Sequence, residues 1–209
     1  MSSAGRIFKS HAVFAHTPWS HAAKYVVVCR NPADALVSYI KMKRSLDREN
    51  PTQSEFTQLF KTDYYIYGTW WRSVAGWWQQ RDLPNVHFVF FEDLKWRFSQ
   101  MLESLSSFLN VHLAPEELTL VEHRCSFAVM QGRPYFQPRH LGKTATPGKS
   151  SDFKFINEGK VGSAKEILGA EGRDEVATYC VCCRADYIRP FRSHQWLISF
   201  DSVPALLRP

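Results

Sequence analysis

Long apolar runs are missing from this sequence. No stretch of its 209 residues approaches the roughly 18 apolar positions of a membrane-crossing helix, so no membrane span is expected. Met1 to Arg6 are polar and carry no signal-peptide hydrophobic region, and the expected location is cytoplasmic. Long blocks of Lys and Arg are also missing, which argues against a nucleic-acid-binding tail. The 5 cysteines are odd in number, and three of them crowd together at Cys180, Cys182 and Cys183. That pattern fits reduced thiols better than a disulfide framework. The C-x-C-C spacing is not a zinc pair and has no second ligand pair, so no metal is expected. No G-x-x-x-x-G-K-[ST] loop of the Walker type occurs. There is no internal repeat and no dividing linker, and a single domain over 1–209 is expected.

The residues that are present describe a globular chain. Hydrophobic residues make up 44% and aromatics 14%, too much apolar surface for a disordered chain. The formal net charge of +6 and a pI near 9.1 favour an anionic partner. Charge alone does not choose among a nucleotide, a sulfated or phosphorylated substrate, nucleic acid and an acidic membrane surface.

Lys24 to Ile40, KYVVVCRNPADALVSYI, is the most informative stretch. Tyr25 to Cys29 is the short β-branched run of a buried parallel strand. Asn31 can cap a helix, Pro32 suits its first position, and Asp34 sits near the positive end of its dipole. Arg30 therefore stands at the carboxyl end of a strand, where open α/β sheets bind ligands, and Ser38 lies along the helix that follows. An Arg fork plus a hydroxyl suits a phosphate. The plain alternative is a surface ion pair.

Other elements follow by pattern. Ile7 to His11 reads as a short strand, which would project Lys9 and His11 from one face. His16 to Ala23 reads as a turn or short helix, Ser45 to Ser54 as a loop and Glu55 to Lys61 as a short helix. Tyr64 to Arg81 carries Tyr67, Trp70, Trp71, Val74, Trp77 and Trp78 at helical spacing, a core-facing stripe with Tyr67 or Trp71 as a candidate pocket wall. Val86 to Phe91 reads as a second buried strand. Glu92 to Asn110 reads as one core helix through Leu94, Phe98, Leu102, Leu105 and Leu109. Pro115 starts another, with Glu116 and Glu117 in its first turn. Gly132 to Gly162 reads as a long lid-like loop. A helix from about Arg173 to Tyr187 follows, and 188–209 form an unassigned tail. Strands alternating with helices argue a parallel α/β sheet.

The Lys24 to Ile40 segment resembles the 3′-phosphate-binding segment of cytosolic sulfotransferases, which transfer a sulfuryl group from 3′-phosphoadenosine 5′-phosphosulfate (PAPS). The likeness continues in family order through RIFKSH (Arg6 to His11), GTWWRSVAGWW (Gly68 to Trp78), VHFVFFEDLK (Val86 to Lys95), VEHRCSFAVM (Val121 to Met130) and FINEGKVGSAK (Phe155 to Lys165). Together these cover about 6–165. The resemblance implies a three-layer parallel sheet of the P-loop nucleoside triphosphate hydrolase type. It implies His11 as general base, an assignment that suits an imidazole near neutral pH, with Lys9 as its cationic partner. Arg30 and Ser38 would bind the 3′-phosphate of the PAPS cofactor. Phe91, standing where the family has Tyr, would lie near the adenine with Cys125, Ser126, Phe127 and Met130. Gly159 and Gly162 would let backbone N–H groups approach the phosphate, and Lys165 matches a family lysine. The acceptor would be a hydroxyl or amine of a small molecule.

Departures set further expectations. The family writes a phosphosulfate loop, T-Y-P-K-S-G-T, on a strand–loop–helix unit ahead of the K-x-H strand. The sequence begins almost at that strand, so the fold is expected to be incomplete at the N-terminus, without the central strand. Sulfuryl transfer by these residues alone is then expected to be weak or absent. Asn157 and Glu158 stand where the family has Arg and Lys, and Glu158 would repel a phosphate unless turned away. The family's dimer segment is poorly matched, so a homodimer has little support. One alternative is a non-catalytic relative that binds a 3′-phosphoadenosine nucleotide or a protein partner. Another class, a basic single-strand-binding module with exposed aromatics, is disfavoured because the aromatic helix is periodic and its rings read as buried.

Overall fold

The Tyr25–Cys29 run forms strand β1, and Val86–Phe90 forms β2. They pair in parallel, in register from Tyr25 opposite Val86 to Cys29 opposite Phe90. A parallel pair needs a long crossover. Here it passes through helices α1 (Pro32–Asp47) and α2 (Trp70–Trp78). The computed structural model describes residues 5–47, 69–133 and 158–183, together with residues 52, 54, 55 and 58. Among the described residues a 3-10 turn, Phe14–His16, precedes β1, and the further helices are α3 (Phe91–Trp96), α4 (Phe98–Leu109), α5 (Pro115–Cys125), α6 (Phe127–Gln131), α7 (Ala164–Ile167) and α8 (Gly169–Cys183).

The aromatic stripe is core. Thr69 caps α2 by accepting from the Arg72 N–H, and Val74, Trp77 and Trp78 are buried. Val74 and Trp78 pack on the sheet face that carries Cys29 and Phe90. Trp71 joins a second cluster formed by Leu36, Val37 and Ile40 of α1 with Ala164, Leu168 and Val176. It does not line the cleft described below. Tyr67 lies outside the described residues. The opposite sheet face is touched by α4, where Phe108 stacks on His87 at 4.9 Å. Sheet and flanking helices thus make the α/β layering that the strand–helix alternation predicts.

Several expectations are corrected. β1 is covered on one face only, for Val26 and Val28 remain 40% and 62% exposed. The expected helix from Glu92 to Asn110 breaks at Arg97, whose φ of −139° and ψ of 44° separate α3 from α4. Helical spacing continues across the break, so periodicity alone could not register it. The last helix, α8, begins at Gly169 instead of about Arg173. Ile7 to His11 is not a strand. A strand exists only where a neighbour satisfies its backbone groups, and Ile7 and Phe8 are 96% and 83% exposed. Packing against the body begins just beyond, where Val13 is buried and the Trp77 indole N–H donates to the Ala12 carbonyl. Phe14 and Trp19 then pack edge to face, and Trp19 stacks on Tyr25 at 4.6 Å. Most of the expected lid, 134–157, and the tail from 184 onward lie outside the described residues.

Candidate functional site: a cationic cleft at the end of the first strand

The turn after β1 is built as the sequence predicts. The Asn31 side-chain oxygen accepts from the N–H groups of Ala33 and Asp34 at 3.0 and 3.3 Å, capping α1. Glu92 is fully buried, and its Oε1 accepts from the Asn31 N–H at 2.9 Å. Burial pushes the Glu92 carboxyl above its ordinary range; the Asn31 bond and the Arg30 charge pull it back only in part. The same desolvation, with Glu92's charge added, pushes the buried Cys29 thiol up to about 12, which leaves it a poor nucleophile.

Arg30 leaves this turn into a cleft of about 630 Å³. Its guanidinium lies 4.4 Å from the centre of the Phe91 ring. One amino group donates to the Lys160 carbonyl at 2.8 Å and stands 3.8 Å from Asp34. Its Nε is buried and has no hydrogen-bond partner in the structure. Burial lowers its pKa, while Asp34 and Glu92 raise it. A guanidinium keeps its proton in either case.

The second wall is the segment 158–163, which α1 holds in place. Asp34, only 2% exposed, accepts from the N–H groups of Gly162 at 2.6 Å and Ala164 at 2.8 Å. Gly159 has a φ of +61°, a left-handed conformation that favours glycine. A Cβ there would meet the Phe127 ring at 2.6 Å. The Phe127 ring, with Lys95 Nζ 5.6 Å from its centre, therefore seats against bare backbone. Glu158, expected to repel a phosphate unless turned away, lines the cleft, pairs with Lys41 at 2.8 Å and stands 3.8 Å from Lys160.

The cleft brings together most of the residues assigned to the nucleotide. Arg30, Ser38, Phe91, Cys125, Ser126, Phe127, Met130 and Gly159 all line it. Gly162 and Lys165 do not, although Gly162 anchors the wall. Lys9 and His11 are exposed, stand on no strand and do not line the cleft. Sequence reasoning missed Lys41, Lys95, Lys160, Phe98, Ser99, Glu122 and Ser163, all in the lining. The Ser99 hydroxyl donates to Glu122. Leu94 and Phe98, expected in the core, also line the cleft. One signal was available: Lys41 follows Ser38 by three residues, hence shares its helix face. Asp34 was read only as a dipole partner, since nothing local marks a contact with residues so distant in sequence.

Cations from the turn after β1, from α1, from α3 and from the 158–163 wall, with aromatic walls and a backbone approach at Gly159, suit an anionic ligand that also carries a flat ring. Among the described residues no cluster of His, Cys, Asp or Glu could hold a metal ion. Among them, too, no helix is long and apolar enough to cross a membrane.

Comparison with known proteins points the same way. A family model described as the sulfotransferase domain matches residues 1–183. Sulfotransferase 1B1 of Canis lupus familiaris is 28% identical over 153 residues, which is 71% of this chain and 52% of that protein. The 3-alpha-hydroxysteroid sulfotransferase of Cavia porcellus is 30% identical over 179 residues, 82% of this chain and 61% of its own. The chain thus spans roughly half to three fifths of the length of these curated relatives. The crystal structure of mouse sulfotransferase SULT7A1 complexed with PAP superposes with a TM-score of 0.71 at 23% identity, covering 88% of this chain and 68% of that one. Retinol dehydratase in a complex with retinol and PAP superposes at 0.68 and 20% identity, over 79% of this chain and 48% of that one. These likenesses establish the fold.

Proposed function

The chain belongs to the sulfotransferase domain family, and from that membership we propose that it forms the nucleotide side of a PAPS-dependent sulfuryl transfer to a hydroxyl or amine of a small molecule. One observation carries the reading: Arg30, Ser38, Phe91, Cys125, Ser126, Phe127, Met130 and Gly159, assigned to the nucleotide from sequence, line a single cleft of about 630 Å³. Arg30 and Ser38 address the 3′-phosphate. Phe91, Cys125, Ser126, Phe127 and Met130 form the adenine side, and Gly159 gives backbone access. PAPS, when bound, supplies the sulfuryl group and a phosphate leaving group; these residues bind and orient it. That the solved structures of mouse SULT7A1 and retinol dehydratase hold PAP supports the assignment.

His11 remains the proposed general base and Lys9 its electrostatic partner. Both roles need Ile7 to His11 to face the cleft, because a base must stand in line with the acceptor. The phosphosulfate loop pattern T-Y-P-K-S-G-T does not occur in these 209 residues, and one preorganised donor to a developing charge is worth about 10²–10³-fold in rate. Sulfuryl transfer by the 209-residue chain assayed by itself is therefore weak or absent. The second reading, a relative that binds the nucleotide without catalysis, draws support from the assembly of the cleft without Lys9 and His11.

Calorimetric titration of adenosine 3′,5′-bisphosphate and of AMP tests the nucleotide assignment. The bisphosphate should bind more tightly, and equal affinities remove the proposal. Transfer of labelled sulfate from PAPS to phenols, alcohols and amines then separates the two readings. Turnover near about 1 s⁻¹, at the low end of typical enzymes, would overturn both the second reading and the weight given to the loop.

A further inference from the structure

The Lys41–Glu158 pair joins α1 to the glycine-bearing wall of the cleft. Lys41 Nζ donates to Glu158 Oε1 at 2.8 Å, and Lys160 Nζ stands 3.8 Å from the other carboxylate oxygen. Lys41 shares a helix face with Ser38, and both line the cleft with Arg30. A carboxylate between two lysines is the wrong charge for a cleft that receives a phosphate. It is the right charge to hold those lysines in position before a phosphate arrives.

We propose that Glu158 is an internal counter-anion that competes with an incoming 3′-phosphate for Lys41, which makes Lys41 a phosphate-binding cation and Glu158 a brake on nucleotide affinity. The inference rests on the nucleotide reading above. Its physical basis is the exchange of one anion for another at the same ammonium. The Lys41 and Glu158 side chains are 24% and 41% exposed, so their bond is the kind that breaks at small cost. Lys160 already faces the second Glu158 oxygen and can keep the carboxylate when Lys41 turns to the phosphate. Lys41 holds the Glu158 carboxyl below its usual range, so the carboxylate stays charged and in competition at neutral pH.

The test is calorimetric titration of the full 209-residue chain with adenosine 3′,5′-bisphosphate and with AMP. It compares the wild type, E158Q, K41M and the double variant, with circular dichroism as the check that each is folded. E158Q should bind the bisphosphate about fivefold more tightly, a factor equivalent to an exposed ion pair near the top of its range. Its AMP affinity should stay within about twofold, since AMP has no 3′-phosphate to compete with Glu158. K41M should weaken the bisphosphate alone, and in the K41M background E158Q should bring no gain. Unchanged or weaker bisphosphate binding by E158Q overturns the inference, as does a gain that persists without Lys41. If the wild type prefers the bisphosphate while E158Q changes nothing, only this inference fails. If the wild type binds both nucleotides equally, the nucleotide reading fails and takes the inference with it.

Discussion

Asp34, in the first turn of α1, accepts a hydrogen bond of 2.6 Å from the backbone N–H of Gly162. A second bond, 2.8 Å from the Ala164 N–H, makes a two-point clasp on a carboxylate that is 2% exposed. The clasp fixes the wall of the cleft to the helix that carries Ser38 and Lys41. It also brings Ala164 and Leu168 against Leu36, Val37 and Ile40.

D34A leaves two N–H groups without their acceptor. Each hydrogen bond to a charged group is worth about 1.5–3 kcal/mol, so the loss of two should reach about 3–6 kcal/mol of stability. Chemical denaturation measures it, and amide exchange should show protection lost first around Gly162 to Leu168. Protection there equal to wild type would show that the apolar cluster alone holds the wall.

Arg30→Ala should weaken adenosine 3′,5′-bisphosphate binding by about 1.5–3 kcal/mol while AMP binding changes little, the scale of one hydrogen bond to a charged group. Ser38→Ala should act in the same direction with a smaller effect. A uniform loss for both nucleotides would assign Arg30 to some other phosphate or to the fold.

Gly159→Ala should destabilise the chain and widen the cleft. The φ of +61° disfavours a side chain, and the new methyl would stand 2.6 Å from the Phe127 ring. The backbone part costs about 1–2 kcal/mol. A second change, Phe127→Leu, should recover part of the steric loss and none of the backbone loss. Thermal melts of the single and double variants check this; full recovery by the double variant would show that strain at Gly159 is negligible.

Burial of Glu92 gives a pH dependence with a definite sign. Its folded-state pKa is raised above the unfolded value. Its contribution to stability is therefore fully present below the unfolded pKa and lost as pH rises through the folded one. Glu92→Gln keeps an oxygen for the Asn31 N–H and removes the titration. Wild type should gain stability relative to E92Q as pH falls from neutral into the ordinary carboxylate range. Denaturation across that range measures the gap, and a constant gap, or one moving the other way, contradicts the burial account.

Sequence by itself determined the local features here. The β-branched run of β1, the Asn31–Pro32 helix start and the Trp stripe of α2 each depend on neighbours a few residues apart. Propensity, capping and periodicity act at that range. That Arg30, Ser38, Phe91, Cys125, Ser126, Phe127 and Met130 stand around one cleft was also legible, because their segments keep a recognisable order. Tertiary structure decided the rest. Whether Ile7 to His11 becomes a strand depends on a pairing neighbour, so alternation in the sequence could not settle it. The break at Arg97 sits inside an unbroken apolar period, and its cue is a backbone angle. The clasp from Asp34 to Gly162 and the pair between Lys41 and Glu158 join residues more than a hundred positions apart. Charge partners at that separation are chosen by how the chain packs in space, a choice that no local pattern encodes.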